Sequence, residues 1–294
     1  MMGSQMVYLV NYATKEFYES QKKLNASALK YGVDKVVSYK RKDLIKSNFY
    51  KEHKDILDQK RGAGFWLWKP YIILDLLQKV NDGDVVIYAD SGIEVIKALD
   101  PLIELCLEKN DVLLFCEGGE RLNKEYTKRD CFIMMDCDSE DYWNSVQCLA
   151  SFHLYTRNKL CIEFLKKWLL YCQNKHILTD VENICGKDNF PEFKDHRHDQ
   201  SVLSLLAHKT KKEIFRDPTQ WGNHLKMKEF RINGEFCSKK YNSINSFNNS
   251  PYGTFLNHHR EKNIYFLYRV KSFLMEVINK VKRKAHSTHK AGDA

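Results

Sequence analysis

The sequence predicts an α/β protein, and three stretches carry this prediction. The apolar run MVYLVNYA (6–13) stops at polar side chains, a polar helical stretch covers about 15–31, and DKVVSY follows as a second short strand. This β-α-β order is typical of an α/β domain. Further along, the helical spacing of YIILDLLQKV leads through the turn NDGD into VVIYAD, which predicts another helix and another buried strand of the sheet.

The remaining elements follow in chain order. A charged segment covers 40–61, the glycines of RGAGFW predict a loop, and Pro70 suits a first helical position. Next, IKALDPLIELCLEK predicts a helix, DVLLFCEG a strand, QCLASFHLYTRN a half-buried strand and KLCIEFLKKWLLYC an amphipathic helix. The polar loop DNFPEFKDHRHDQ then enters a further helix. Residues 233–259, rich in Asn, Ser and Gly, predict a loop, and NIYFLYRVKSFLMEVINKVKRK predicts a last, cationic helix.

The length of 294 residues fits one large domain with appendages. No stretch approaches the roughly 18 consecutive apolar residues of a membrane span, and the N-terminus lacks the basic, then apolar order of a signal peptide. We therefore expect a cytoplasmic protein. The nine cysteines form no C-x-x-C pair, which argues against both a structural zinc site and a disulfide scaffold.

The net charge of +9 is concentrated at the C-terminus, because nine Lys or Arg and three acidic residues lie after His259. The rest of the chain is close to balanced, so a nucleic-acid footprint across the main domain has little support. The basic last helix could lie on an anionic membrane surface, which would place the protein at the inner face of a membrane. Alternatively, this helix packs on the core and keeps a solvated basic end.

The stretch GDVVIYADSG (83–92) ends a buried strand on a carboxylate. In open α/β sheets ligands gather beyond the carboxyl ends of the strands. A carboxylate fixed there, Asp90, can bind a divalent cation that in turn holds a diphosphate. Gly92 would let such a ligand approach the backbone closely. The structural alternative is that Asp90 or Ser91 caps a following helix.

Three motifs together resemble the GT-A type of nucleotide-sugar glycosyltransferase. They are RGAGFWLWKP, VVIYADSG and HRHDQSVLSLL, and they are more closely similar to bacterial and viral polysaccharide-type transferases with W-x-W-K-P, Y-x-D-x-G and H-R-H-D-Q motifs. The resemblance covers roughly residues 6–260. It implies a GT-A domain over 6–260, with a Rossmann-like mixed central sheet and helices on both faces, followed by the basic amphipathic tail 261–294.

The resemblance also implies a donor site. The end of the first strand binds the nucleoside in this fold, which indicates Asn11 and Tyr12. The metal-binding D-x-D motif would fall on Asp90, Ser91 and Gly92, so this chain lacks the second aspartate of the motif. Whether the protein depends on a metal is therefore open. If it does, the metal relies on Asp90 and on ligands from elsewhere in the chain.

A further metal ligand is available near the end of the domain. GT-A enzymes often complete the metal site with a histidine there, and FLNHHREKN supplies His258 and His259. Imidazole, carboxylate and diphosphate ligands would suit Mn²⁺, so Mn²⁺ or Mg²⁺ is the expected cofactor. The alternative is a surface histidine pair beside a basic tail.

Basic residues and tryptophans lie in and beside the glycine-containing loop RGAGFW (61–66). Lys60 and Arg61 could neutralise diphosphate charge, or they belong to a solvated basic loop. Lys69 is the stronger candidate, because it is locked between a tryptophan and a proline. If the segment is extended, Trp66 and Trp68 face the same side and could stack on a base or a sugar ring, although we expect core packing for one of them.

The densest polar cluster, DHRHDQS, stands at a predicted helix start, where backbone N–H groups favour anions. It resembles the Asp-Gln helix start of retaining GT-A enzymes such as the glycogenin-like transferases. This implies that Asp199 and Gln200, with His198 beside them, lie near the transferred sugar. In such enzymes the strand containing Ser151 runs past the donor sugar. The structural alternative is that Asp199 is a helix N-cap.

These features predict a glycosyltransferase that moves a sugar from a nucleotide-diphosphate donor, with UDP favoured, to a glycan or lipid-linked acceptor in surface polysaccharide synthesis. Asp195, His198 or Asp199 could serve as a general base, and inversion and retention both stay open. Two other classes compete with this interpretation. One is a metal-dependent hydrolase that uses the His196-Arg197-His198-Asp199 cluster, and the other is a basic nucleic-acid-binding module.

Overall fold

The computed structural model describes residues 5–117, 121–222 and 249–259, and the backbone of 230–232 and 235–237. Ten strands lie in these ranges: β1 Val7–Ala13, β2 Lys35–Lys40, β3 Val85–Ala89, β4 Ile93–Val95, β5 Val112–Phe115, β6 Phe152–Thr156, β7 Ile214–Phe215, β8 Phe230–Ile232, β9 Glu235–Cys237 and β10 Leu256–His258. The predicted tail 261–294 lies outside the described residues.

The central sheet has six strands in the order β2-β1-β3-β6-β5-β7. Strands β2, β1 and β3 are mutually parallel, and so are β5 and β7, whereas β6 runs antiparallel between β3 and β5. A small second sheet pairs β10 antiparallel to β4. The sheet is therefore mixed, as the sequence predicts, with a single reversed strand in its described part.

Helices cover both faces of the central sheet. The longer ones are α1 Tyr18–Lys30, α6 Trp68–Leu77, α7 Asp100–Lys109, α11 Lys159–Cys172 and α13 Asp199–Lys209. Short helices fill the connections: the 3-10 turn Lys15–Phe17, α2 Arg41–Ile45, α3 Asn48–Glu52, α4 Lys54–Leu57, α5 Gly62–Phe65, α8 Asn123–Tyr126, α9 Arg129–Met134, α10 Glu140–Trp143 and α12 Lys175–Leu178.

Side-chain alternation along the strands separates two apolar layers. Leu9 and Ile87 belong to the layer that α1 and α7 cover. Val10 and Val86 belong to the layer that α6, α11 and α13 cover. Burial of the sheet on both faces explains why its strands read as nearly continuous apolar runs. The predicted fold class, an α/β domain with helices on both faces of a mixed sheet, is confirmed.

Two local predictions need correction, and one segment without a predicted structure proves helical. Strand β6 is buried along its whole length, not half-buried, because it is a central strand with helices on both sides. The charged segment 40–61 contains the short helices α2, α3 and α4. Part of the predicted loop 233–259 is strand β10.

No helix in the described ranges is long and apolar enough to cross a membrane.

Candidate active site

A cavity of about 930 Å³ opens at the carboxyl ends of β1 and β3. The predicted site residues that line it are Tyr12, Lys60, Arg61, Trp68, Lys69, Asp90, Ser91, Ser151, His198, Asp199, Gln200 and His258. Asn11 and His259 are not in its wall. Segments far apart in sequence thus contribute to one cavity, at the sheet edge where α/β folds collect ligands.

Asp90 follows the last residue of β3. Its backbone N–H donates to the Ser151 carbonyl (2.8 Å), and the Tyr88 hydroxyl donates to its carboxylate. The chain then turns directly into β4, so no helix begins here and the helix-capping alternative for Asp90 is wrong. The second sheet also brings His258 opposite Ile93, just beyond this turn.

Lys69 lies at the centre of the site, and its side chain is 3% exposed. The ammonium donates to the Ala150 carbonyl at 2.9 Å, and it forms ion pairs with Asp199 Oδ2 at 2.7 Å and with Asp90 Oδ1 at 3.6 Å. Burial alone would lower the pKa of Lys69, but the carboxylates of Asp199 and Asp90 outweigh it and raise that pKa. Lys69 is therefore a buried ammonium that links two carboxylates from different segments.

Asp199 is the first residue of α13, and His198 occupies the N-cap position. The prediction that Asp199 is the N-cap is therefore wrong, and its carboxylate instead pairs with Lys69. Burial raises the pKa of Asp199 to about 6, although the Lys69 ammonium acts in the opposite direction. At neutral pH the pair is thus an ion pair. Gln200, the next residue, donates to Gln147 Oε1 at 2.9 Å and stays at the cavity wall.

The backbone before Asp199 is strained. His198 has φ 53° and ψ −119°, a conformation that non-glycine residues rarely adopt. Its Nδ1–H donates to the Leu178 carbonyl at 2.8 Å, and its ring stacks on Trp66 with the centroids 5.6 Å apart. These contacts hold the strained backbone at His198, and this backbone directs the start of α13 toward Lys69.

Trp66 lies on a left-handed turn and Trp68 on the helix that follows it, so the segment is not extended. Consecutive residues from Gly62 to Trp66 all have positive φ, and the Phe65 N–H donates to the Arg61 carbonyl at 2.7 Å. Left-handed turns of several residues are costly for L-amino acids. Trp68 then begins α6, is buried and stacks on Tyr12 at 4.2 Å between ring centroids. The segment is not extended, so the condition under which both tryptophans would face one side is not met, although both line the cavity.

We expect Gly64→Ala to destabilise this turn strongly. A Cβ at Gly64 (φ 103°) would lie 2.6 Å from the Leu57 Cα, a backbone atom that cannot move aside easily. The strained backbone costs about 1–2 kcal/mol, and the crowding adds about 1–3 kcal/mol. Urea unfolding measures the total loss of unfolding free energy.

Gly83→Ala is the matched control. Gly83 also has positive φ (87°), but an added Cβ meets nothing within 4 Å, so only the backbone term applies. Equal losses of unfolding free energy for the two variants would contradict the crowding at Gly64.

The two histidines of HRHDQ do not form a binuclear metal site. His196 Nε2–H donates to the Ile177 carbonyl at 2.9 Å and its Nδ1 accepts from the Lys128 N–H at 3.3 Å. His198 Nδ1–H donates to the Leu178 carbonyl. Burial lowers the pKa of both imidazoles, so both are neutral and serve to fix the loop. Both ring nitrogens of His196 are engaged, so the hydrolase alternative loses this residue as a metal ligand.

The two basic residues before the turn differ. Arg61 bridges Asp180 (3.2 Å) and Asp195 (2.9 Å), which ties the turn to the segment preceding α13. Its charge is therefore already paired with two carboxylates, and its role as a diphosphate ligand stays a prediction. Lys60 is exposed at the cavity wall, and no ion pair to it is found within the described ranges.

Two predicted donor-site residues take different positions. Asn11 is fully buried, accepts from Gln21 Nε2 and donates to Asn25 Oδ1, both at 2.8 Å. Its amide therefore joins β1 to α1 and does not reach the cavity. Ser151 is buried at the cavity wall, and its hydroxyl has no hydrogen-bond partner among the described residues.

The described side chains do not fit a D-x-D metal site. Asp90 Oδ1 already accepts from the Tyr88 hydroxyl and lies near the Lys69 ammonium, and residue 92 carries no carboxylate. His259 donates its backbone N–H to the Gly92 carbonyl at 2.8 Å and is not in the cavity wall. Across the described ranges no three His, Cys, Asp or Glu side chains form a group that could hold a metal ion.

Sequence reasoning missed Arg41 after β2 and Arg121 after β5, which line the cavity, and Tyr88, which is buried and donates to Asp90. Tyr88 could have been found from the sequence, because residues two apart on a strand share a face. The two arginines could not, since each comes to the cavity through tertiary packing. Arg41 pairs with Asp58, and Arg121 pairs with Glu117 at 2.7 Å.

No family model and no curated protein matches the sequence. Among solved structures, the chain is similar to mouse xyloside xylosyltransferase 1, apo form, with 9% identity, a TM-score of 0.47 and coverage of 87% of this chain and 98% of that chain. It is also similar to the apo structure of the WbbM bifunctional glycosyltransferase, with 12% identity and a TM-score of 0.49. That match covers 88% of this chain and 46% of the other. At these identities and scores the likenesses establish neither a family nor an activity.

Proposed function

We propose that this protein transfers a sugar from a nucleotide-diphosphate donor to a hydroxyl group of a glycan or lipid-linked acceptor, in surface polysaccharide synthesis. One observation carries the proposal: the strand end with Asp90, the tryptophan turn and the helix start with Asp199 line one cavity. The three motifs that resemble nucleotide-sugar transferases contain these same segments.

The cavity wall offers groups for each part of such a donor. Beyond β1, the backbone of Ala13 and Thr14 lines the end of the cavity that would take the nucleoside. Lys60 would meet the diphosphate, and Ser151 and Asp199 would meet the sugar. In the reaction, the acceptor oxygen forms a bond to the anomeric carbon, the bond from that carbon to the diphosphate breaks, and the acceptor proton passes to a base.

Thermal unfolding with UDP, GDP and CMP tests this function. A ligand that binds the folded state alone raises the melting temperature, so we expect stabilisation by one nucleotide, with UDP favoured. A hydrolysis screen across nucleotide sugars then identifies the donor without knowledge of the acceptor. If no nucleotide stabilises the protein and no donor is hydrolysed, the proposed function is wrong.

Lys60→Ala is expected to weaken nucleoside diphosphate binding about tenfold, because it removes a charge-assisted contact to phosphate. Calorimetric titration with UDP in low and high salt measures this effect. The salt dependence of the dissociation constant should also decrease in the variant.

Lys51→Ala is the matched control. Lys51 is an exposed lysine of α3 whose ammonium lies 3.4 Å from Asn48 Oδ1, and it does not line the cavity. If both variants bind UDP equally well, Lys60 does not contact the diphosphate.

The remaining predictions concern the tail and the location. Membrane binding through 261–294 and a cytoplasmic location stay predictions. Flotation of the whole chain with anionic liposomes, compared with a chain that ends at about residue 262, measures the contribution of the tail.

A further inference from the structure

The two carboxylates of the cavity already share a cation. Lys69 Nζ lies 2.7 Å from Asp199 Oδ2 and 3.6 Å from Asp90 Oδ1. In metal-dependent sites, converging carboxylates hold a divalent ion. A divalent ion placed against Asp90 would here stand close to a buried ammonium, and the two positive charges would repel each other.

This ammonium is fixed in place by the fold. Lys69 is the second residue of α6, its side chain is 3% exposed, and the Ala150 carbonyl accepts a hydrogen bond from it at 2.9 Å. The carboxylates raise the pKa of Lys69, so the ammonium stays charged.

One N–H of Lys69 remains available to a ligand. An ammonium has three N–H donors. One is committed to the Ala150 carbonyl, Asp199 Oδ2 at 2.7 Å is an ion-pair partner without hydrogen-bond geometry, and the distance of 3.6 Å to Asp90 exceeds an ordinary hydrogen bond. Lys69 and Asp90 both line the cavity. An oxygen of a bound diphosphate can therefore accept from a remaining N–H.

We propose that Lys69 supplies the positive charge that a divalent cation supplies in metal-dependent transferases, so that a nucleoside diphosphate binds here without metal. The inference rests on the proposed nucleotide-sugar site. It also accounts for Gly92, since a site organised around an ammonium needs no second D-x-D carboxylate. Here the predicted Mn²⁺ or Mg²⁺ would have no essential role.

Two measurements on the whole protein test the proposal. Calorimetric titration with UDP in EDTA and in Mn²⁺ is expected to give dissociation constants within about twofold of each other. Binding that is at least about tenfold tighter in Mn²⁺ would overturn metal independence while leaving the proposed function intact. Electron paramagnetic resonance of Mn²⁺ alone should show no loss of the free-ion signal on addition of protein. A loss that Asp90→Ala abolishes would overturn the proposal even without a nucleotide.

Lys69→Met and Lys69→Arg form the variant pair. Methionine removes the charge and leaves two carboxylates side by side, so this variant is expected to acquire Mn²⁺ binding and Mn²⁺-dependent UDP binding. Arginine keeps the charge and should retain UDP binding in EDTA. Full UDP binding by Lys69→Met in EDTA would contradict the role of Lys69. If Lys69→Met does not fold, Lys69→Arg and the two measurements on the unmodified protein still decide.

Discussion

Asp199→Asn is expected to lower sugar transfer by about 10²–10⁴-fold, the range for a group that moves a proton or stabilises charge at a reacting centre. Asparagine keeps the shape of the side chain but removes its negative charge from the first turn of α13. The transfer rate with the donor found by the hydrolysis screen measures this loss. The variant also leaves the Lys69 ammonium without its nearest counter-charge, so stability should fall by up to about 3–5 kcal/mol.

Asp136→Asn is the control for this change. Asp136 forms an exposed pair with Lys209 at 3.3 Å, so the same substitution there should alter neither rate nor stability appreciably. Circular dichroism at the assay temperature separates a lost reaction from a lost fold. A folded Asp199→Asn variant that transfers sugar at the normal rate would remove Asp199 from the proposed site.

The pH profile offers a second measurement on the same residue. Burial raises the pKa of Asp199 to about 6, above its ordinary value of 3.8. If the ionised carboxylate is required, the transfer rate should fall as the pH decreases through about 6. Asp199→Asn should abolish this acid limb in its residual activity. An acid limb that persists unchanged in the variant belongs to another group.

Asp90→Ala is expected to reduce transfer by at least about 10³-fold while the protein stays folded. In the proposed metal-independent arrangement, Asp90 would accept hydrogen bonds from hydroxyl groups of the donor sugar, beside the Lys69 ammonium 3.6 Å away. Its side chain is 31% exposed, and no helix begins at it, so the substitution costs little packing. The main penalty is the Tyr88 hydroxyl, which loses its acceptor at a cost of about 1–3 kcal/mol.

Asp82→Ala is the matched control, because Asp82 precedes the same strand and its side chain is 86% exposed. Both variants should unfold cooperatively, and only Asp90→Ala should lose transfer. Normal transfer by Asp90→Ala would mean that the strand-end carboxylate has a structural role.

The sheet could be predicted from the sequence because its strands are buried on both faces, so each appears as an apolar run bounded by turns. The same alternation explains one wrong prediction. Strand β1 continues to Ala13 and does not stop at Asn11, so Asn11 shares a face with Leu9 and points to α1. Tyr12 shares the opposite face with Val10 and lines the cavity.

The turn Gly62–Trp66 could not be predicted in the same way. Its glycines indicate a connection, but nothing in the sequence requires Ala63, Phe65 and Trp66 to adopt positive φ. Tertiary contacts impose that conformation, among them the stacking of Trp66 on His198. The pairing of Lys69 with Asp199 is equally hidden, because it depends on two helix starts meeting below the sheet edge.

The ion pair between Lys69 and Asp199 also sets an order of events on the ribosome. Asp199 is synthesised about 130 residues after Lys69, a delay on the order of ten seconds at ordinary translation rates. Throughout that interval the Lys69 ammonium has no Asp199 to pair with, and burying it without a counter-charge is unfavourable. We therefore expect the start of α6 to complete its docking only after α13 has emerged. A nascent chain arrested before Asp199 would then hold a partly formed sheet and an incomplete cavity.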